Sequence, residues 1–300
     1  MSNFVLTDDN YYSQEANEHY LSCSQYEEFL DCEAAALAHA QGRWAPPETD
    51  AFFLGKYFHS YFEGPDAFEA FCEEPENFNK IYKTKVTKAR GLEITGKYSN
   101  IEKIDAMIKA AEEDKAIRRL IAMEGETEVS MTGKLFGRYP WKVRLDKWIP
   151  KMDLIIDWKT VADIRGLQYN TELGRRATFI ENYRYMFRAA VYTEIYKEFT
   201  GSNATPLFWL VCVSKQDPPD KEIINLTHQQ RYDLELEKVQ EKIHRIQSIK
   251  DGKVPPKRCG HCAYCRTTKK LERAIDYWEL EPDYGVSAET EDIYGIDAEI

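Results

Sequence analysis

Hydrophobic positions recur with helical spacing over the first 122 residues of the chain. The predicted helices lie at 14–41, about 52–62 and 101–122. In the third helix Ile101, Ile104 and Ile108 share one face, as in an amphipathic helix, and the second helix ends at Gly64. The pattern therefore predicts a helical N-terminal part, with a segment of mixed character at 66–90.

An alternating apolar and polar pattern replaces this spacing after residue 126. It predicts a β-meander with strands at 129–132, 141–146 and 153–160. Helices are then predicted at 178–199 and 227–249, on either side of a buried strand at 206–214. This order predicts an α/β fold, a central mixed β-sheet of four to five strands flanked by helices.

The length of 300 residues suits one large domain with an appendage. We predict a single domain over residues 1–275, followed by an acidic tail at 276–300. The parts of that domain are an N-terminal helical part at 14–122, a core at 123–225, and a C-terminal helix with a cysteine-rich segment at 227–273.

The net charge of −11 is unevenly distributed along the chain. The tail carries nine acidic and no basic residues, which leaves 42 acidic against 40 basic residues in the remaining chain. Lys83, Lys85 and Lys88 lie in a window without an acidic residue, so they are candidates for binding DNA phosphates. The other interpretation of this window is a solvated helix face. The tail is either a solubilising end or a segment that binds a partner or the basic groove.

The beginning of the chain is polar and acidic, without the pattern of a signal peptide, and its longest apolar run is too short for a membrane span. We therefore expect a soluble cytoplasmic protein without a membrane partner. In that compartment seven cysteines indicate metal ligands or free thiols rather than disulfides.

The sequence Asp157-Trp158-Lys159 places two charged side chains on one face of an apolar strand. Burying charge is costly, and a divalent cation next to the carboxylate would offset the cost. A hairpin that turns near Pro150 brings Asp146 opposite Asp157. Two carboxylates suit Mg²⁺ (or Mn²⁺), and a lysine can stabilise charge on a phosphate during hydrolysis. The competing interpretation is an Asp–Lys pair at a sheet edge.

Several ordered motifs accompany this arrangement. They are Leu21-Ser22-Cys23-Ser24-Gln25-Tyr26, Gly55-Lys56-Tyr57-Phe58-His59, Asp146 with Asp157-Trp158-Lys159, Val213-Ser214-Lys215, and Pro255-Pro256 before Cys259. Over residues 20–270 the chain resembles the PD-(D/E)XK nuclease superfamily, which has a restriction-endonuclease-like core. It is most similar to the RecE-like, exodeoxyribonuclease VIII-type branch of phages and prophages.

This resemblance implies a Mg²⁺-dependent 5′→3′ exonuclease on linear double-stranded DNA that needs no ATP. It implies that His59, Asp146, Asp157 and the Trp158 carbonyl hold the metal and that Lys159 assists the nucleophile. A single-strand annealing protein would be the partner in recombination, and a homo-oligomeric ring would suit processive digestion. The chain contains no G-x-x-x-x-G-K-[ST] phosphate-binding motif, in agreement with ATP independence.

One family position departs from the pattern. The Q-x-x-x-Y motif of these nucleases falls on Arg188 and Tyr192, so an arginine replaces the glutamine. The two side chains share a helix face at i,i+4 spacing. An arginine there can bind phosphate but cannot accept a hydrogen bond. Both residues are therefore candidate DNA contacts, and core packing is the alternative for Tyr192.

Three closely spaced cysteines, Cys259, Cys262 and Cys265, follow the Pro-Pro turn. Some relatives in the superfamily bind an iron–sulfur cluster with three C-terminal cysteines and one N-terminal cysteine, which would here be Cys32. A zinc site with His261 or Cys23 as a ligand, and no metal at all, are the alternatives.

Two further functions stay open from the sequence alone. One is a structure-specific or single-strand DNA nuclease, which a cysteine-bound cluster would favour. The other is a non-catalytic DNA-binding scaffold protein. The complete set of His59, Asp146, Asp157 and Lys159 argues against the scaffold.

Overall fold

The computed structural model describes residues 4–87, 91–271 and 273–277. Its N-terminal part is helical. The elements up to the central sheet are α1 (Gln14–His19), α2 (Cys23–Asp31), α3 (Glu33–Ala40), α4 (Asp50–Glu63), α5 (Pro65–Glu73), α6 (Pro75–Ile81), β1 (Tyr82–Thr87), β2 (Gly91–Lys97), α7 (Ser99–Glu113) and α8 (Lys115–Ala122).

The helix predicted at 101–122 is two helices, α7 and α8. Asp114 between them has an extended backbone, and its carboxylate accepts hydrogen bonds from the N–H groups of Ala116 and Ile117. It therefore ends one helix and caps the next. The mixed segment at 66–90 contains α5, α6 and the first strand of the β1–β2 hairpin.

The remaining elements build the sheet and its flanking helices. They are β3 (Glu126–Leu135), β4 (Tyr139–Ile149), a 3-10 turn (Pro150–Met152), β5 (Leu154–Val161), β6 (Gln168–Asn170), β7 (Arg175–Ala177), α9 (Phe179–Asn182), α10 (Tyr185–Thr200), β8 (Leu207–Ser214), β9 (Lys221–Asn225), α11 (Gln229–Lys250) and α12 (Ala263–Thr267). The helix predicted at 178–199 is interrupted at Arg184, which adopts a left-handed φ of 51°.

The central sheet has five strands among the described residues, in the order β3-β4-β5-β8-β9. Strands β5 and β8 are parallel, and the other neighbours are antiparallel. The predicted α/β fold with a mixed sheet flanked by helices is thus confirmed. Among the described helices, none combines the length and the apolar character needed to cross a membrane.

Two hydrophobic cores cover the two faces of the sheet. Helices α2, α10 and α11 pack on one face and helices α4 and α7 on the other. Trp158 lies in the second core, where its ring stacks on Phe62 at a centroid distance of 4.4 Å. Ile155 and Val161 lie in the first core. Because side chains alternate along a strand, Asp157 and Lys159 face the first core.

Trp141 in β4 is the residue on which the first core depends most directly, because its side chain is completely buried and its ring lies 5.9 Å from that of Tyr26. We expect Trp141→Ala to lower the free energy of unfolding by about 3–5 kcal/mol. The exposed Leu234 of α11 supplies the control, since Leu234→Ala should change it by less than about 0.5 kcal/mol. Urea denaturation followed by circular dichroism measures both, and equal effects would contradict this description of the core.

Candidate active site

Three carboxylates lie side by side across strands β3, β4 and β5. The β3–β4 register pairs Thr127 with Lys147 and Val129 with Leu145, which places Glu128 opposite Asp146. The β4–β5 register reaches Lys147 and Ile156, so the next position along each strand places Asp146 opposite Asp157. Like charges that face each other across strands repel. This row therefore needs positive charge around it.

Asp146 lies at the centre of the row and has three partners. Its Oδ2 accepts a hydrogen bond from the Trp158 N–H at 2.8 Å. His59 Nδ1 lies 3.2 Å and Lys159 Nζ 3.4 Å from the same oxygen. The N–H of Trp158 in β5 therefore bonds to the Asp146 side chain instead of to a backbone carbonyl of β4. The backbone pairing of β4 with β5 ends at this point, at Lys147 and Ile156.

Lys159 and Asp157 form the second part of the site. Lys159 Nζ lies 2.9 Å from Asp157 Oδ2 and donates a hydrogen bond to the Trp158 carbonyl at 3.1 Å. Asp157 is 9% exposed, and the partner of its buried Oδ2 among the described residues is the Lys159 ammonium. A buried carboxylate oxygen whose only partner is a cation fits a site for positive charge.

The pKa values of the two aspartates, Asp146 and Asp157, are shifted in opposite directions. Burial tends to raise the pKa of Asp146, but the charges of Lys159 and His59 outweigh it and hold that pKa well below its usual range. Burial, together with the charge of Asp146, raises the pKa of Asp157 despite Lys159. The pKa of Lys159 is raised because the two carboxylates outweigh its burial. The site therefore keeps its lysine charged and holds Asp157 in an environment that disfavours its negative charge.

Glu128 is a site residue that the sequence analysis did not identify. Its backbone has a left-handed φ of 54°, which costs a non-glycine residue about 1–3 kcal/mol. Burial and the charge of Asp146 raise its pKa to about 6, although Arg144 Nε lies 2.6 Å from its Oε2. One ligand atom each of Glu128, Asp146 and His59 lie within 4.8 Å of one another. This triad fits a divalent cation, which would offset the repulsion.

The position of His59 follows from the anchoring of α4. Tyr57, two residues earlier, is fully buried, and its hydroxyl donates to Asp105 at 2.7 Å. Lys97 at the end of β2 donates to the same hydroxyl at 2.9 Å and to Asp105 at 2.7 Å. This network holds the C-terminal half of α4 in place, so that His59 reaches Asp146.

The structure brings the predicted metal and catalytic residues together, and it places the predicted DNA contacts on two separate elements, α10 and β1. Arg188 is bound through both Nε and Nη2 by the carboxylate of Glu27. Tyr192 is half-buried, with its ring 5.9 Å from that of Phe208. Lys83 and Lys85 are exposed on β1. Lys88 lies outside the described residues.

Four cysteines meet where the junction of α2 and α3 contacts the C-terminal segment. The sulfurs of Cys32, Cys259, Cys262 and Cys265 lie within 4.8 Å of one another. Cys32 Sγ is 3.6 Å and Cys259 Sγ 3.9 Å from Cys265 Sγ. These four thiols can hold a metal ion or a cluster. Cys23, the alternative ligand, is buried in the first core instead, and His261 is exposed.

Glu33 explains why the distant Cys32 meets the C-terminal cysteines. Its carboxylate receives two hydrogen bonds from Arg245 of α11, at 2.6 and 2.7 Å. It also accepts one from the Lys257 N–H at 2.7 Å. Within the cluster, burial opposes ionisation of Cys259, but hydrogen bonds led by that from the Cys262 N–H lower its pKa to about 6. The hydrogen bond from the Cys265 N–H tends to lower the pKa of Cys262, but burial and hydrogen bonds with the other thiols outweigh it and raise that pKa to about 12. The cluster therefore favours the thiolate, the form that metals bind, at Cys259.

Glu128 should contribute to divalent cation binding, because its carboxylate lies within 4.8 Å of the ligand atoms of His59 and Asp146. We expect Glu128→Gln to weaken Mn²⁺ binding at least about tenfold, a typical effect of altering the surroundings of a metal site. Isothermal titration measures the affinity. Glu124→Gln is the matched control, since that carboxylate is exposed and paired with Lys151. Unchanged affinity in Glu128→Gln would remove Glu128 from the site.

Comparison with known proteins agrees with this geometry. Residues 22–268 match the model of a PDDEXK-like domain of unknown function (DUF3799). The fold is similar to the crystal structure of a Eubacterium rectale protein named "Putative exonuclease", with a TM-score of 0.80 and 30% identity over 93% of this chain and 98% of that chain. The crystal structure of SSO0001 aligns with a TM-score of only 0.29 at 13% identity, over 80% of this chain and 92% of that chain. No curated protein matches by sequence. The chain belongs to the PDDEXK-like domain family (DUF3799).

Proposed function

We propose that this protein is a divalent-cation-dependent DNA exonuclease that acts 5′→3′ on linear double-stranded DNA without ATP. The observation that carries the proposal is the row of Glu128, Asp146 and Asp157 with Lys159 beside it. A row of carboxylates with a charged lysine is what hydrolysis of a phosphodiester needs, namely a cation site and a donor for the developing negative charge. The similarity to a protein named as an exonuclease supports the same reaction.

Each residue of the site has a role in this proposal. His59, Glu128 and Asp146 would hold Mg²⁺ or Mn²⁺, with Asp157 and the Trp158 carbonyl as further candidate donors beside them. When bound, the cation lowers the pKa of water and neutralises charge on the phosphate. Lys159 keeps its proton, because both carboxylates stabilise its charge, and it donates to the phosphate oxygens. The Trp158 N–H fixes the orientation of Asp146.

The reaction is tested with end-labelled linear duplex and closed circular duplex, each with Mg²⁺ or EDTA and without ATP. We expect loss of the linear substrate alone, in Mg²⁺ alone, with label released first from the 5′ end. Lys159→Ala should lower the rate at least about 100-fold, the typical cost of removing one donor to the transition state.

The control variant for Lys159→Ala is Lys151→Ala, since Lys151 is exposed and pairs with Glu124 across the surface. Its rate should equal that of the wild type. A folded Lys159→Ala protein with full activity would refute the assigned mechanism. Cutting of the circle would replace the exonuclease by an endonuclease, and binding without cleavage of either substrate would favour a scaffold.

The cysteine cluster supports a second candidate, a structure-specific or single-strand DNA nuclease with a bound metal centre. Its Sγ separations of 3.6 and 3.9 Å are close to the edge of a tetrahedron of sulfurs around one zinc ion, about 3.8 Å for Zn–S bonds of about 2.3 Å. The resemblance to nucleases with an iron–sulfur cluster supports [4Fe–4S] instead. Analysis of zinc, iron and sulfide in the purified protein separates the two.

Either metal would connect α3 to the C-terminal segment, so its loss should destabilise the protein. We expect Cys32→Ser to lose the bound metal and to lower the Tm by about 10 °C or more, because a structural metal contributes several kcal/mol and each kcal/mol shifts the Tm of a large domain by about 2–4 °C. Cys72→Ser, at another buried thiol, should keep the metal. Metal content and Tm that are unchanged in Cys32→Ser would refute the site.

The biological setting that we propose follows from the family resemblance. The nuclease would act in phage-type recombination with a single-strand annealing protein as partner, and a ring of identical subunits would keep it on DNA. Both the partner and the ring stay predictions.

A further inference from the structure

The segment between β5 and α10 carries exposed tyrosines and unpaired arginines beside the active site. It contains the β6–β7 hairpin, α9 and Tyr183. Tyr169 is 66% exposed and Tyr183 53% exposed. The side chains of Arg175 and Arg176 contact only backbone carbonyls, those of Arg176 and Leu167, among the described residues.

This surface begins at the catalytic lysine. Tyr185, the first residue of α10, is half-buried, and burial raises the pKa of its phenol, which lies near enough to Lys159 and Asp157 for both charges to act on it. The Tyr183 ring lies 6.4 Å from the Tyr185 ring at an interplanar angle of 70°. The rings therefore lead from the reacting centre outward to the surface.

Two sets of contacts hold the hairpin next to Tyr183. The Asn182 amide donates to the carbonyls of Ala177 at 2.9 Å, Thr178 at 3.1 Å and Gln168 at 3.5 Å. Arg184 donates to Glu172 in the hairpin turn at 2.5 Å. Because Tyr169 and Arg176 are paired residues in the hairpin, their side chains share one face. The ring and the guanidinium are thus held together.

Two carboxylates of this segment are paired with other arginines, Glu172 with Arg184 and Glu181 with Arg231 at 2.8 Å. The guanidinium of Arg176 has no carboxylate partner among the described residues. Free guanidinium groups beside exposed rings fit a ligand with alternating phosphates and flat apolar faces. Single-stranded nucleic acid has this chemistry, whereas the base faces of a duplex are covered by their neighbours.

We propose that an unpaired DNA strand runs from the active site across Tyr185 and Tyr183 onto the β6–β7 hairpin, with its bases against Tyr183 and Tyr169 and a phosphate on Arg176. This strand path rests on the proposed nuclease function. An enzyme that acts at a DNA end has to bind the strand that has left the duplex, and the tyrosine–arginine surface supplies that binding site.

The test measures binding of fluorescein-labelled oligo-dT of 20 nucleotides, and of a blunt 20-base-pair duplex, by fluorescence anisotropy without added divalent cation. The double variant Tyr169→Ala/Tyr183→Ala should bind oligo-dT at least tenfold more weakly, since each stacked base accounts for about fivefold or more. Its duplex affinity should change less than twofold. Tyr169→Phe/Tyr183→Phe should bind oligo-dT like the wild type, because stacking needs the ring and not the hydroxyl.

The contribution of Arg176 is measured by the salt dependence of binding. Arg176→Ala should reduce the slope of log affinity for oligo-dT against log salt by about 0.7, the value for one phosphate contact on a single strand. Phe199→Ala, an exposed ring at the other end of α10, and Arg118→Ala on α8 are the controls and should leave oligo-dT affinity and the slope unchanged. Circular dichroism and Tm establish that each variant is folded.

Several results would overturn the strand path. The first is oligo-dT binding by the folded Tyr169→Ala/Tyr183→Ala variant at wild-type affinity. The second is a loss of affinity in that variant that is equal for duplex and oligo-dT. The third is that the wild type does not bind oligo-dT measurably. Because no cleavage is needed, the two proposals fail separately. A protein that never cuts DNA but loses oligo-dT on tyrosine substitution refutes the nuclease alone, and one that cuts with unchanged oligo-dT binding refutes the strand path alone.

Discussion

The repulsion among three carboxylates on adjacent strands is the constraint on which the site depends. Glu128, Asp146 and Asp157 occupy neighbouring positions across β3, β4 and β5, where side chains approach to about 5 Å. Lys159, His59 and Arg144 surround the row with positive or hydrogen-bonding groups. These partners do not remove the cost of burial, as the raised pKa values of Glu128 and Asp157 show. The site therefore favours a further positive charge, which a divalent cation would supply.

The remaining fold holds this unfavourable row together. Hydrophobic cores on both faces of the sheet prevent the strands from separating, and Trp158 is fixed by its stack on Phe62 directly behind the carboxylates. On α4, Tyr57 and its bonds to Asp105 and Lys97 oppose any withdrawal of His59. A site whose charges repel needs such support, because the same groups in a flexible loop would move apart into solvent.

The strand periodicity predicted two of the three carboxylates, Asp146 and Asp157, and did not identify Glu128. Alternation along β5 placed Asp157 and Lys159 on one face, and the turn at Pro150 placed Asp146 opposite. The same reasoning about the turn at Gly137 would have placed Glu128 opposite Asp146, since the register is symmetric around that glycine. The left-handed backbone of Glu128 was beyond prediction, because glutamate does not favour it. Strands of three residues, such as β6 and β7, are too short for any periodicity to predict.

Arg188 is a motif position whose side chain is paired with a carboxylate within the protein. The resemblance assigns to its position a glutamine, and an arginine there was expected to bind phosphate. Burial raises the pKa of Glu27, and Arg188 opposes this by holding its carboxylate through two nitrogens. The pair contributes almost no net charge to the site, and removing Glu27 from it would leave a buried carboxylate without a partner. In the proposed function, attraction of the DNA backbone would come from cations that no carboxylate binds, and Arg176 on the β6–β7 hairpin is one of these among the described residues. Phosphate binding would then lie further from α10 than the motif implies.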